Sequence, residues 1–152
     1  KCHGTHYSMR VLGNDPYPFT HSNWEIFMSG DERYQKGLAN RAKVFGDEGE
    51  VRRKEFEEAS PDFARYVTES FYGELYERKG ISDQSRETII LSILCTLGRA
   101  EEFEYHTHAA LNVGMSKEDI QEIIMVCAYY AGGPNAVAAS KASLNVFKER
   151  GI

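Results

Sequence analysis

The sequence predicts an all-α fold, a helical bundle. Apolar residues recur three and four positions apart over most of the chain, capping residues and glycine stops punctuate those stretches, and strand-like alternation does not appear.

Residues 1–30 lie outside this pattern. They hold three of the five histidines, the Pro16 and Pro18 pair and scattered aromatics (Tyr7, Tyr17, Phe19, Trp24, Phe27), as expected of an irregular N-terminal arm or an appended extension. Cys2, His3 and His6 could meet at a metal ion, although an unstructured polar terminus accounts for them more simply. The helical domain is expected over residues 31–152. Asp31 can cap a segment carrying Tyr34, Leu38 and Phe45, closed by a Gly46-Asp47-Glu48-Gly49 loop, after which residues 50–58 read as a charged, solvated stretch. Ser60 followed by Pro61 starts a helix whose apolar face is Phe63, Tyr66, Val67 and Phe71, before Gly73. Ser82 or Asp83 opens the next helix, rich in Ile and Leu from Ile89 to Leu97, stopped by Gly98 and expected at the centre of the core. A further helix runs from Ala100 to Val113. Ser116 and Asp119 make a capping-box-like start to another, with Ile120, Ile123, Ile124 and Cys127 as its stripe. Gly132-Gly133-Pro134 breaks it, and the small residues Ala136, Ala138, Ala139 and Ala142 of the last helix allow close approach of a neighbour.

Composition narrows the function. A chain of 152 residues can bury roughly 70% of its unfolded surface, so one domain can fold without disulfide or metal staples. Its three cysteines, Cys2, Cys95 and Cys127, have no CxxC spacing, which suits a reducing cytoplasm and supplies no zinc or dithiol signature. With 18 Lys and Arg against 23 Asp and Glu, scattered along the chain, there is no basic stripe for nucleic acid. No apolar run is long enough to span a bilayer.

Helical geometry then sorts the polar residues. With Phe103 at zero and 100° per residue, Thr107, Ala110 and Gly114 fall within about 40° of it and define an inward face. His106, Glu102 and Arg99 lie on one flank between core and solvent, whereas Glu104 and His108 should be solvated. Glu102 and His106, spaced i,i+4, therefore form the candidate acid-base pair: a carboxylate beside an imidazole orients it and favours its charged form. Arg86 falls on the line of Ile90, Ile93 and Leu97 and should look inward. A buried cation must meet an internal carboxylate (Glu74 or Glu102), backbone carbonyls or a bound anion. Tyr130, before the Gly-Gly-Pro break, is either a packed aromatic or a polar site group, and Cys95 and Cys127 belong to apolar stripes.

Taken in order, several stretches resemble the carboxymuconolactone decarboxylase family. They are Tyr72-Gly73-Glu74-Leu75-Tyr76 with Arg78 and Gly80; Ser85-Arg86-Glu87; Leu97-Gly98-Arg99-Ala100-Glu101-Glu102-Phe103 with His106; Ala109-Ala110-Leu111-Asn112-Val113-Gly114; and Glu118-Asp119-Ile120-Gln121-Glu122 leading to Tyr129-Tyr130-Ala131-Gly132-Gly133-Pro134. The resemblance implies an alkylhydroperoxidase D-like fold with a helix-hairpin core, and a homo-oligomer, a hexamer or trimer. The peroxidase branch of that superfamily carries a Cys-x-x-Cys pair where this chain has Glu102-Phe103-Glu104-Tyr105, and thiol peroxidase chemistry needs both thiols. What remains is cofactor-free and metal-free decarboxylation of a carboxylated lactone, 4-carboxymuconolactone to 3-oxoadipate enol-lactone, in protocatechuate catabolism by the β-ketoadipate pathway. On this resemblance His106 is the proton donor or oxyanion partner, Glu102 its orienting neighbour, Arg86 the carboxylate anchor, and Arg99 and Tyr130 further substrate-binding candidates. Two alternatives stay open. One is a related enzyme on the same fold acting on another small acid or secondary metabolite. The other is a non-catalytic, small-molecule-binding helical oligomer, which would leave Glu102 and His106 exposed and satisfy Arg86 with protein carboxylates.

Overall fold

The computed structural model describes residues 30–152, so the expected arm, with Cys2, His3 and His6, lies outside the described residues up to position 29. Among the described residues the chain forms six α-helices and no strand. They are α1 (Gly30–Ala59), α2 (Pro61–Val67), α3 (Asp83–Thr96), α4 (Ala100–Asn112), α5 (Lys117–Ala131) and α6 (Gly133–Arg150); α2 runs directly into a π-helical segment, Thr68–Leu75.

Helices α3 to α6 enclose the larger apolar cluster, which includes Leu91, Phe103, Ala110, Ile120, Ile124, Ala139 and Phe147. The α5 start is the expected capping box: Ser116 Oγ accepts from Asp119 N (3.0 Å) and Ser116 N donates to the Asp119 carboxylate (2.8 Å). Its stripe Ile120, Ile123, Ile124 and Cys127 is buried, and Ala136, Ala139 and Ala142 of α6 are buried as well. A second, smaller cluster holds α1 and the π segment against α4 through Val44, Phe45, Tyr76 and Ala109, flanked by Tyr72 and Tyr105. Helix α4 thus lies along the seam between the two clusters.

Several expectations change here. The chain stays helical past position 46, bending at Gly46 (φ 61°, ψ −151°), a conformation glycine adopts without a Cβ penalty. Residues 50–58 are helix, because Arg53 reaches Glu50 and Glu57 across one turn. In α2 the aromatic face points outward: Phe63, Tyr66 and Phe71 are at least half exposed, while Ala64, Thr68 and Gly73 are buried. Close backbone approach favours the small residues. A Cβ on Gly37 would stand 2.1 Å from the Thr68 carbonyl oxygen, and one on Gly73 2.1 Å from that of Arg33. In α3 the inward stripe is Glu87, Leu91 and Cys95, whereas Ile93 and Leu97 are more than half exposed. His108, expected in solvent, is buried because the end of α6 covers it: Arg150 Nε donates to its Nδ1 at 3.3 Å. Gly114, expected inward, is exposed.

Candidate active site

The polar residues of the seam gather around one carboxylate. Glu87 lies in the second turn of α3, whose start is set by Ser82 Oγ accepting from Ser85 N (3.0 Å), and it is fully buried. Burying a carboxylate is costly without donors, and Glu87 has two. Tyr76 Oη, from the residue after the π segment, donates to Oε1 at 2.7 Å, and His106 Nδ1, from α4, meets Oε2 at 2.9 Å. Burial first, and the Glu87 charge next, push the Tyr76 hydroxyl far above its ordinary range, so it remains the donor. With the carboxylate accepting, the Nδ1 proton points to Glu87 and Nε2 is left for chemistry. The imidazole is further held edge-on by Phe45 (5.3 Å between ring centres), itself stacked on Tyr105 at 4.2 Å. The His106 side chain keeps 15% of its surface open to solvent.

Arg86, one residue before the carboxylate, is buried as expected, although the anticipated partners Glu74 and Glu102 do not hold it. Its Nη2 donates to the Arg78 carbonyl (3.0 Å), its Cζ stands 5.0 Å from the Tyr76 ring centre, and its Nε has no hydrogen-bond partner. It lines a recess of about 300 Å³ with Leu75, Arg78, Gly80 and Ile81. A guanidinium with an unmet donor beside a recess is an anion site.

The other expected site residues fall elsewhere. Glu102 does not pair with His106; it hydrogen-bonds Arg99, whose guanidinium holds the Glu102 carboxyl below its ordinary value, and both side chains are exposed. The physical reason is reach: Glu102 and Arg99 share an exposed first turn, while His106 turns toward α3. Tyr130 is 85% exposed, with its ring against Tyr129 at 5.5 Å. Sequence reasoning missed Glu87 and Tyr76 as partners of His106. A glutamate four and eight positions ahead of Leu91 and Cys95 was the available signal. It also passed over Arg41 of α1, buried over the Tyr72 ring at 4.6 Å. Among the described residues no cluster of three or more His, Cys, Asp or Glu side chains could hold a metal ion, and no helix is long and apolar enough to cross a membrane.

A family model described as "Carboxymuconolactone decarboxylase family" matches residues 61–144, more than half of the chain and the stretch that supplies Tyr76, Arg86, Glu87 and His106. The chain belongs to the carboxymuconolactone decarboxylase family. Two curated proteins agree. The 4-carboxymuconolactone decarboxylase of Acinetobacter baylyi is 32% identical over 126 residues, 82% of this chain and 94% of that protein. The nitrosuccinic acid decarboxylase npaB of Metarhizium robertsii is 26% identical over 110 residues, 70% of this chain and 75% of that protein. Both are decarboxylases by name, and this member of the carboxymuconolactone decarboxylase family is accordingly a carboxy-lyase.

Proposed function

We propose that the chain decarboxylates 4-carboxymuconolactone to 3-oxoadipate enol-lactone, as a step of protocatechuate catabolism in the β-ketoadipate pathway. The observation that carries this reading is His106, fixed through Nδ1 by a buried carboxylate, in the same cluster as Arg86 with its unmet donor. In that substrate the departing carboxylate sits on a carbon conjugated through the ring alkene to the lactone carbonyl. The carbonyl is the electron sink, so cleavage leaves an extended dienolate and the chemistry supplies its own acceptor. The residues have three tasks: Arg86 anchors a substrate carboxylate, His106 Nε2 delivers the proton to carbon, and Glu87 takes the orienting role first assigned to Glu102. Glu102, Arg99 and Tyr130 become candidates for the rim of the site rather than its centre.

The A. baylyi relative, matched over 94% of its length, supports this substrate. The M. robertsii relative supports the second reading, another small acid on the same fold. The non-catalytic reading asks for an exposed His106 and an Arg86 neutralised by protein carboxylates, and the geometry above weighs against both. Purified protein supplied with 4-carboxymuconolactone should release carbon dioxide without added metal. His106→Ala should lower that rate by about 10²–10⁴-fold with helicity intact, and inactivity of the wild type on lactone acids would refute the reading.

We further propose a homo-oligomer, a hexamer or trimer, working in the cytoplasm. Support comes from the apolar side chains left exposed on α3 (Ile89, Ile93, Leu97) and α5 (Met125, Val126, Tyr129), and from Cys95 and Cys127 as free thiols. Sedimentation should give a mass several times 17.2 kDa, and Leu97→Glu should reduce it.

A further inference from the structure

We propose that Arg41 is a second anion-binding residue of this site, so that the pocket takes a dianion, a small molecule with two acid groups, in preference to its monoanionic analogues. The inference rests on the decarboxylase reading and adds to it a residue from α1, outside the stretch matched by the family model.

The two rings of Tyr72 and Tyr76 stand 5.2 Å apart, and each carries a guanidinium: Arg41 Cζ is 4.6 Å from the first ring centre and Arg86 Cζ is 5.0 Å from the second. Both arginines are more than nine-tenths buried, at 7% and 5% exposure, and the Nε of each has no hydrogen-bond partner. Among the described residues no carboxylate lies within ion-pair distance of either. Glu50 feels the Arg41 charge but is taken up by Arg53, which donates to it through Nε (2.8 Å) and Nη2 (2.6 Å). The buried carboxylate of the cluster, Glu87, is engaged by Tyr76 and His106. Two buried cations therefore face one buried anion. An uncompensated buried charge costs several kcal/mol, and a bound anion removes that cost.

The reaction raises the requirement from one negative charge to two. For His106 to donate a proton from Nε2 while Nδ1–H serves Glu87, the ring must be an imidazolium at that moment. The cluster then carries three positive charges and one negative, and a dianionic substrate brings the total to zero. During turnover the carbon–carbon bond to the departing carboxylate breaks, its electron pair enters the ring as a dienolate, and carbon dioxide leaves uncharged. The Nε2 proton then passes to carbon, leaving a neutral imidazole and a monoanionic product, and solvent returns the proton after release. The total is zero before and after, so no step leaves net charge in the low-dielectric seam. A monoanionic substrate would leave one positive charge unmet throughout.

The test is a binding measurement independent of turnover. The probes are the ring-saturated analogue of the lactone diacid, which has no conjugated sink and cannot decarboxylate, and its side-chain monomethyl ester. Calorimetry on the full chain should find the diacid bound at least about 10-fold more tightly than the ester. Arg41→Met should weaken the diacid about 10- to 100-fold and the ester less than about 3-fold, with circular dichroism unchanged. If Arg41→Met does not fold, Arg41→Lys serves, because it keeps a charge but loses the planar fork; it should weaken the diacid alone. Equal loss for both probes, or no loss for either, in a folded variant would overturn the proposal. Wild type that binds the diacid selectively yet releases no carbon dioxide from the unsaturated substrate would instead sink the decarboxylase reading and leave Arg41 standing.

Discussion

Glu87 accepts hydrogen bonds from a phenol and an imidazole with no water contact, so its replacement acts on both neighbours. In Glu87→Gln the amide nitrogen must face one of two donors, and the imidazole loses the acceptor that fixes its tautomer. The expected result is a fall in kcat of about 10²–10⁴-fold with KM changed less than 3-fold. Glu102→Gln, on the exposed turn with Arg99, should stay within about 2-fold of wild type; steady-state kinetics on the two variants separates the inter-helix carboxylate from the intra-helix one. Tyr76→Phe removes one donor from buried Glu87 and should cost about 1–3 kcal/mol in urea unfolding. Of this cluster, Arg86 was legible in the sequence because a cation on an apolar helix face is anomalous by itself. The partner of His106 was not, because a helical wheel ranks neighbours on one helix and the 2.9 Å contact joins two.

Helices α5 and α6 were readable from caps and stripes since both their ends and their buried faces are determined locally: the Ser116–Asp119 box, the Gly132 break, the alanine row. Helix α2 and its π extension were readable as a helix but not by face. Periodicity follows the large aromatics, Phe63, Tyr66 and Phe71, whereas packing followed the small residues that let α1 come close. The glycines at this contact give a prediction whose sign opposes helix propensity. Replacing a mid-helix glycine with alanine ordinarily favours the helix by about 1 kcal/mol. Gly37→Ala should instead destabilise by about 1–3 kcal/mol or more, since its Cβ would overlap the Thr68 carbonyl and force the two segments apart. Equilibrium unfolding in urea checks it, with Gly132→Ala, where nothing stands within 4 Å but φ is 108°, as a strain-only comparison.

At the scale of the whole molecule, the larger cluster inside α3 to α6 and the smaller one under α1 are distinct, and the site draws on both: Tyr76 and Arg41 from the α1 side, Arg86, Glu87 and His106 from the bundle. Its buried acids also set the response to base. Burial raises Tyr72 and Tyr76 above the ordinary 10.0 and pushes Cys95 up from 9.0 to about 11. The unfolded chain releases those protons at lower pH than the folded one, so stability is complete below about pH 9 and declines as pH rises past 10. The urea midpoint between pH 8 and 11 should show this slope, and Tyr76→Phe should flatten it. The unequal clusters have a second consequence. Four apolar residues anchor the α1 layer, against more than a dozen in the bundle, so the layer should lift in partial excursions while the bundle persists. Catalysis would then be the most fragile property of the protein, silenced by urea well before the ellipticity falls. Amides in residues 30–59 would exchange ahead of those in α5 and α6.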